Sequence, residues 1–98
     1  MTRFAVEVLP PAEAEIRDAF LWYYERSPLA ADAFRSEAFE AIDALGDSAD
    51  MWPADEDDIR HHFLRHFPYT VHYMLKRGVA TVLAVGHQRR MPGYWRQR

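Results

Sequence analysis

One run of seven residues limits the folds open to this chain more than any other feature. The segment VATVLAV, residues 79–85, is apolar at nearly every position. A half-buried strand alternates apolar with polar residues, whereas a strand that is apolar on both faces belongs in the interior of a sheet. We therefore predict a central strand over residues 79–85, and the remaining segments must supply its neighbours.

Three other segments have the two-residue period of half-buried strands. Residues 3–9 (RFAVEVL) and residues 69–75 (YTVHYML) alternate cleanly, and residues 59–65 (IRHHFLR) alternate less regularly. The sequence Lys76-Arg77-Gly78 predicts a hairpin turn between the strand over 69–75 and the central strand.

Two amphipathic helices are predicted between the first and second strands. Apolar residues recur at three- and four-residue steps over about residues 11–26, where Pro11 suits a first helical turn. Ser27 and Pro28 then provide an N-cap hydroxyl and a first-turn proline for a second helix. We expect that helix to end before Gly46, a suitable left-handed C-terminal residue, and residues 47–58 to form an acidic solvated loop.

The predicted order of elements is β-α-α-β-β-β within one domain, residues 1–98. This order favours an α+β fold, with two N-terminal helices packed on one face of a mainly antiparallel four-stranded sheet. We expect the other face to be concave and basic, with Thr70, His72 and Met74 from one strand. Its neighbour would contribute Arg60, His62 or Leu64.

The charges are strongly segregated along the chain. Residues 1–58 hold 15 Asp and Glu against 4 Lys and Arg, a net charge of −11, whereas residues 59–98 hold 8 Lys and Arg and no Asp or Glu. This asymmetry indicates either an anionic partner for the C-terminal part or neutralisation between the two parts within the fold.

Several classes of protein are not supported by the sequence. The chain has no cysteine, which excludes disulfides and thiolate metal sites. Neither a secretory signal nor a membrane span is predicted, so we expect a cytoplasmic protein without a membrane partner. No glycine-rich phosphate loop is present, and no cofactor is expected. We expect no metal site at His61, His62 and His66, because the segment is predicted to be a strand and residues 59–98 contain no carboxylate side chain.

The residues that follow the central strand carry the candidate chemistry. His87 can exchange a proton near neutral pH, and Arg89 and Arg90 can bind phosphate. Tyr94 can stack or donate a proton, and Trp95 offers a second stacking plane. The cluster would suit RNA cleavage through the ribose 2′-hydroxyl, which needs a base, an acid and positive charge. It would equally suit a binding surface without turnover.

The C-terminal segments resemble the RelE/ParE superfamily of type II toxin–antitoxin toxins. The resemblance is carried by FPYTVHY (67–73), the turn KRG, the strand VATVLAV and the tail HQRRMPGYW (87–95), and the order of elements matches as well. It implies a growth-inhibiting toxin that a cognate antitoxin protein neutralises in a hetero-oligomer. RelE-like members cleave mRNA on the ribosome, whereas ParE-like members poison DNA gyrase and are not nucleases.

The resemblance also implies roles for individual residues. His87, Arg90 and Tyr94 match catalytic positions of the cleaving group, and we expect Arg60, Arg65, Arg89 and Trp95 to contact the RNA or gyrase target. The sequence departs from the cleaving group at Thr70, where an arginine is usual, and at residues 55–58, where acids replace an expected pair of lysines. RNA cleavage and gyrase poisoning both stay open, as does an inactive member that serves as a binding or regulatory subunit.

Overall fold

The structure is a computed structural model that describes residues 2–97. Strand β1 (Ala5–Val8) precedes the helices α1 (Pro10–Tyr24) and α2 (Pro28–Ser48). Strands β2 (Arg60–Phe63), β3 (Tyr69–Lys76) and β4 (Val79–His87) follow, and a short 3₁₀ helix (Tyr94–Gln97) comes last. The predicted order of elements is confirmed.

The four strands form one sheet in the order β1-β4-β3-β2, in which only the β1–β4 pair is parallel. Strand β4 therefore has neighbours on both sides, as its nearly continuous apolar sequence predicts. Both helices pack on one face of the sheet, and the α+β fold is confirmed. The largest fully buried side chains lie between the two layers; they are Phe34, Leu45, Val71, Tyr73, Val82 and Val85.

The ends of the helices differ from the prediction at two places. Helix α1 ends at Tyr24, two residues earlier than expected. Helix α2 begins as predicted, with the Ser27 side chain accepting a hydrogen bond from the Ala30 amide at 3.2 Å. The expected end of α2 before Gly46 is wrong, because the helix continues to Ser48.

Gly46 allows the N-terminal segment to approach α2 closely. Its carbonyl accepts hydrogen bonds from the amides of Arg3 and Phe4, both at 2.8 Å, and a Cβ atom at this position would lie 3.1 Å from Thr2 Cγ2. The glycine therefore lies inside α2, where it allows the N-terminal segment to pack against the helix, and it does not occupy a left-handed position at the C-terminal end.

The open face of the sheet, which no helix covers, carries Thr70 and His72 of β3 as predicted. The β2–β3 register places Phe63 opposite Thr70 and His61 opposite His72. Residues directly opposite each other in an antiparallel pair point to the same face, so His61 and Phe63 also belong to the open face.

The prediction that Arg60, His62 or Leu64 would lie on the open face is wrong. Arg60 pairs with the buried Tyr73, His62 pairs with the buried Val71, and Leu64 is itself buried in the core. These three residues therefore lie on the helix side. A shift of one residue in strand phase exchanges the two faces, and the irregular alternation of this segment does not determine the phase.

The hairpin turn between β3 and β4 is confirmed. Lys76 pairs with Val79, and the two residues between them, Arg77 and Gly78, have φ values of 53° and 77°. Two consecutive left-handed residues are typical of a type I′ turn, whose twist matches that of the flanking strands.

Across the described residues, no helix has the length and apolar character needed to cross a membrane.

Candidate functional site

Two hollows meet where β4 ends. The helix-side hollow, about 420 Å³, lies between α1 and the ends of β3 and β4, and it includes Glu15, Trp22 and Tyr69. The open-face hollow, about 480 Å³, lies between the open face of the sheet, the acidic loop and the C-terminal residues. His87 and Arg90 line both hollows, so the end of β4 is the place where most of the predicted site residues gather.

Tyr94 is held at the end of β4 by a carboxylate from α1. Strand β1 ends at Val8, opposite Val82, and beyond that point the Glu15 carboxylate accepts a hydrogen bond from the Val85 amide at 2.9 Å. The Tyr94 hydroxyl donates to the other oxygen of Glu15 at 2.5 Å. The tyrosine ring passes directly over Gly86, where a Cβ atom would lie 2.1 Å from the hydroxyl oxygen. The Tyr94 hydroxyl is therefore engaged in an internal contact.

The other predicted residues of the tail lie around Tyr94 in different environments. The guanidinium of Arg90 lies 4.0 Å from the centre of the Tyr94 ring, in a cation–π contact. The ring of His87 packs edge-on against Tyr69 at 5.2 Å, and its Nδ1 atom accepts a hydrogen bond from the Arg89 amide. The structure thus brings His87, Arg90 and Tyr94 to one end of the sheet, with Arg89 exposed beside them.

A hydrogen-bonded chain of three side chains lies on the open face. Asp55 Oδ2 lies 2.8 Å from His61 Nε2, and His61 Nδ1 lies 2.8 Å from His72 Nδ1. The ring of His72 in turn stacks on Trp95, with 4.3 Å between the ring centres and 28° between the planes. Trp95 therefore covers the open face from the tail, and the acidic loop is joined to the sheet beneath it.

The surroundings of Asp55 and His72 shift the pKa values of both side chains. Burial, and then the neighbouring His61, lower the pKa of His72 to about 4. The hydrogen bond from His61, followed by one from the Ile59 amide, lowers the pKa of Asp55. At neutral pH Asp55 is therefore a carboxylate and His72 is a neutral imidazole.

Four basic side chains of the C-terminal part contact acids of the N-terminal part, so part of its positive charge is neutralised within the fold. The hydrogen-bonded pairs are Asp55–His61 and Glu37–His66, and the ion pairs are Asp58–Lys76 and Asp57–Arg96.

The two arginines expected from the β2 segment do not join the cluster at the end of β4. Arg60 lies on the helix side and donates to the carbonyls of Trp52 and Asp50. Arg65 lies past the end of β2, where its backbone amide donates to Glu37. Burial lowers the pKa of His62, whose ring stacks on Trp52 with 4.7 Å between the ring centres.

The structure also adds residues that the sequence did not indicate. Glu15, Asp55 and His61 contribute to the two hollows without having been expected there, and they join His72, which was expected on the open face; none of the four is close in sequence to the tail. Within residues 2–97, no group of three or more His, Asp or Glu side chains is arranged to hold a metal ion. The arrangement as a whole holds the tail on the sheet and leaves Arg89, Arg90 and Met91 exposed.

Comparisons with known proteins agree with this architecture. The family model for the ParE toxin of type II toxin–antitoxin systems, parDE, matches residues 6–92. Among solved structures, a chain of the chromosomal ParDE TA system from P. aeruginosa has a TM-score of 0.77 and 16% sequence identity, over 87% of this chain and 96% of that one. At that identity the likeness demonstrates a shared fold. No curated protein matches the sequence.

Proposed function

The chain belongs to the ParE toxin family of type II toxin–antitoxin systems, and on that premise we propose that it arrests growth by poisoning DNA gyrase until a cognate antitoxin neutralises it. The match to the ParE family model over residues 6–92 is the observation that carries the proposal. The gyrase target follows from the ParE branch of the superfamily, whose members act without cleaving RNA.

The geometry at the end of β4 supports a binding role more than a nuclease role. General acid–base cleavage needs proton-transfer groups and phosphate-binding cations directed at one reacting centre. Here the Tyr94 hydroxyl is bonded to Glu15, and the guanidinium of Arg60 is bonded to backbone carbonyls. His87 packs against Tyr69 and not against the open-face histidines. A fixed surface that presents arginines is sufficient for a protein that inhibits by binding.

We place the target contact at the exposed segment of residues 88–92. Among the described residues, neither Arg89 nor Arg90 forms an ion pair with a carboxylate, and Met91 is 79% exposed. Guanidinium groups that have no carboxylate partner among the described residues, beside an exposed apolar side chain, suit an anionic surface, either acidic protein or the DNA that gyrase holds. Trp95 then acts indirectly by holding the tail against His72.

The antitoxin is assigned to the helical side. Several large apolar side chains are exposed along α1 and α2, and a concentration of exposed apolar side chains is typical of sites of protein association. An antitoxin segment that covers this surface would bury it within a hetero-oligomer. The exposed side chains concerned are Leu21, Trp22, Tyr24, Leu29 and Phe39.

Induced expression with parallel measurements tests the proposal. We expect growth arrest, altered plasmid supercoiling and gyrase-dependent DNA breaks with intact mRNA, and we expect purified toxin to inhibit supercoiling by gyrase in vitro. Arg89→Glu should weaken that inhibition at least tenfold, whereas Arg77→Asp, a charge change in the distant hairpin turn, should leave it unchanged.

Other outcomes would contradict the proposal in distinct ways. Cleaved mRNA with undamaged DNA would establish a RelE-like nuclease instead. Harmless overexpression of a folded protein, in cells that lack the antitoxin, would establish an inactive binding subunit.

A further inference from the structure

The facing imidazoles of His61 and His72 have a geometry that the proposed function does not use. The two residues are directly opposite each other in β2 and β3. Their Nδ1 atoms lie 2.8 Å apart, and both side chains line the open-face hollow. Two imidazole nitrogens that converge from neighbouring strands are a preformed pair of metal ligands if both present lone pairs.

Asp55 fixes the protonation pattern of the first histidine. A carboxylate accepts hydrogen bonds and cannot donate one when ionised, so the proton of the Asp55–His61 contact belongs to His61 Nε2. With the ring proton on Nε2, the Nδ1 atom of His61 carries a lone pair that is directed at His72. Histidines that bind metals commonly donate their second nitrogen to a carboxylate in this way.

The second histidine can present its lone pair without losing a proton from the protein. His72 donates from Nδ1 in the present hydrogen bond, and it becomes an Nδ1 ligand when the proton moves to Nε2. Zinc–imidazole bonds of about 2.0–2.1 Å at a tetrahedral angle require roughly 3.3 Å between the two nitrogens. The observed separation of 2.8 Å is shorter than that value, so a bound ion would require the two rings to move apart by about half an ångström.

The surroundings supply carboxylates and space near this point. Asp55 and Glu56 line the same hollow, as do Arg90 and the Arg96–Asp57 pair, and the hollow has room for water ligands. On the far side, the ring of His72 is held by its stack on Trp95. Imidazole nitrogen is a ligand for zinc, copper and nickel, whereas magnesium and calcium prefer oxygen.

We propose that His61 and His72 form a two-histidine site for a divalent transition metal ion of the zinc class, with Asp55 as the outer carboxylate and water completing the coordination. From the sequence we expect no metal site at His61, His62 and His66, because the segment is predicted to be a strand and residues 59–98 contain no carboxylate side chain. The structure supplies a different partner, His72, and a carboxylate from the preceding loop. A bound ion would join β2 to β3 beneath Trp95.

The test uses the untagged, metal-free full-length chain. Zinc is titrated in competition with a chromophoric chelator, and nickel is titrated while tryptophan fluorescence is recorded. We expect one ion per chain, no competition from magnesium, and quenching of Trp95. His61→Phe and His72→Phe should each abolish binding, and Asp55→Asn should weaken it by about 10–100-fold.

Two control variants distinguish binding at this site from binding elsewhere on the chain. His66→Ala removes an exposed histidine that pairs with Glu37, away from the open face, and it should leave the affinity unchanged. Trp95→Phe should keep the binding and lose most of the quenching. Circular dichroism establishes that each variant is folded. Absence of zinc binding by the wild-type chain, or binding that survives both phenylalanine substitutions, would overturn the proposal.

Discussion

Substitution of Gly86 by alanine tests how the tail is held on the sheet. The added Cβ atom would lie 2.1 Å from the Tyr94 hydroxyl oxygen and 2.7 Å from two ring carbons, so the ring must leave its position. Its departure removes the charge-assisted bond to Glu15, worth about 1.5–3 kcal/mol. It also removes the cation–π contact with Arg90, worth about 0.5–1 kcal/mol. We expect Gly86→Ala to lower the free energy of unfolding by about 2–4 kcal/mol. For a domain of this size, Tm should fall by about 4–8 °C for each kcal/mol of stability lost.

A double-mutant cycle with Tyr94→Ala makes this prediction specific. Without the tyrosine ring nothing blocks the added methyl group, and replacement of a strand glycine by alanine stabilises a protein by about 0.4–1 kcal/mol where the backbone is compatible. The same substitution should therefore be destabilising in the wild-type chain and neutral or stabilising in Tyr94→Ala. Urea denaturation of the four proteins measures the cycle. An equal loss in both backgrounds would refute the placement of Tyr94 over Gly86.

Three further predictions concern contacts elsewhere in the fold. Burial acts to raise the pKa of Glu37, but hydrogen bonds from His66 and Arg65 outweigh it and lower the pKa. Glu37→Gln should therefore lower the free energy of unfolding by about 1–3 kcal/mol at pH 7, and this difference from wild type should shrink as pH falls below about 4. Urea denaturation measures it, and an equal difference at pH 7 and pH 3 would contradict the prediction. Ser27→Ala should cost about 1 kcal/mol by loss of the α2 N-cap, whereas Ser27→Asp should be near wild type in the same assay. Arg77→Asn should raise stability by about 0.5–1 kcal/mol, because asparagine tolerates the left-handed conformation of the turn, and a lower Tm would count against a type I′ turn.

Features of the fold that depend on local sequence were predictable. The apolar run over residues 79–85 identified the central strand, and the Ser27-Pro28 pair located the start of α2. The predictions were wrong where contacts with a distant segment of the chain determine the local structure. Gly46 lies inside α2 because the backbone at Arg3 and Phe4 binds its carbonyl, a contact that no local pattern of α2 reveals.

In the candidate site too, the grouping of residues that are close in sequence was predictable, whereas contacts between distant segments were not. His87, Arg90 and Tyr94 gather because they are separated by only a few residues after one strand. Glu15, which bonds to Tyr94, is 79 residues away in sequence, and its role depends on where β1 stops beside β4. The pairing of His61 with His72 requires the β2–β3 register, which the alternation in residues 59–65 leaves ambiguous.

The parallel pairing of β1 with β4 has a consequence for when the protein can fold. Ala5 is opposite Val79, so the first strand finds its partner only after residues 79–82 have been synthesised. Contacts between such distant segments close large loops and slow folding. A ribosome that stops before residue 79 releases a chain without its central strand, its Glu15–Tyr94 contact or its exposed arginines. Truncated translation products therefore lack the surface on which the proposed activity depends.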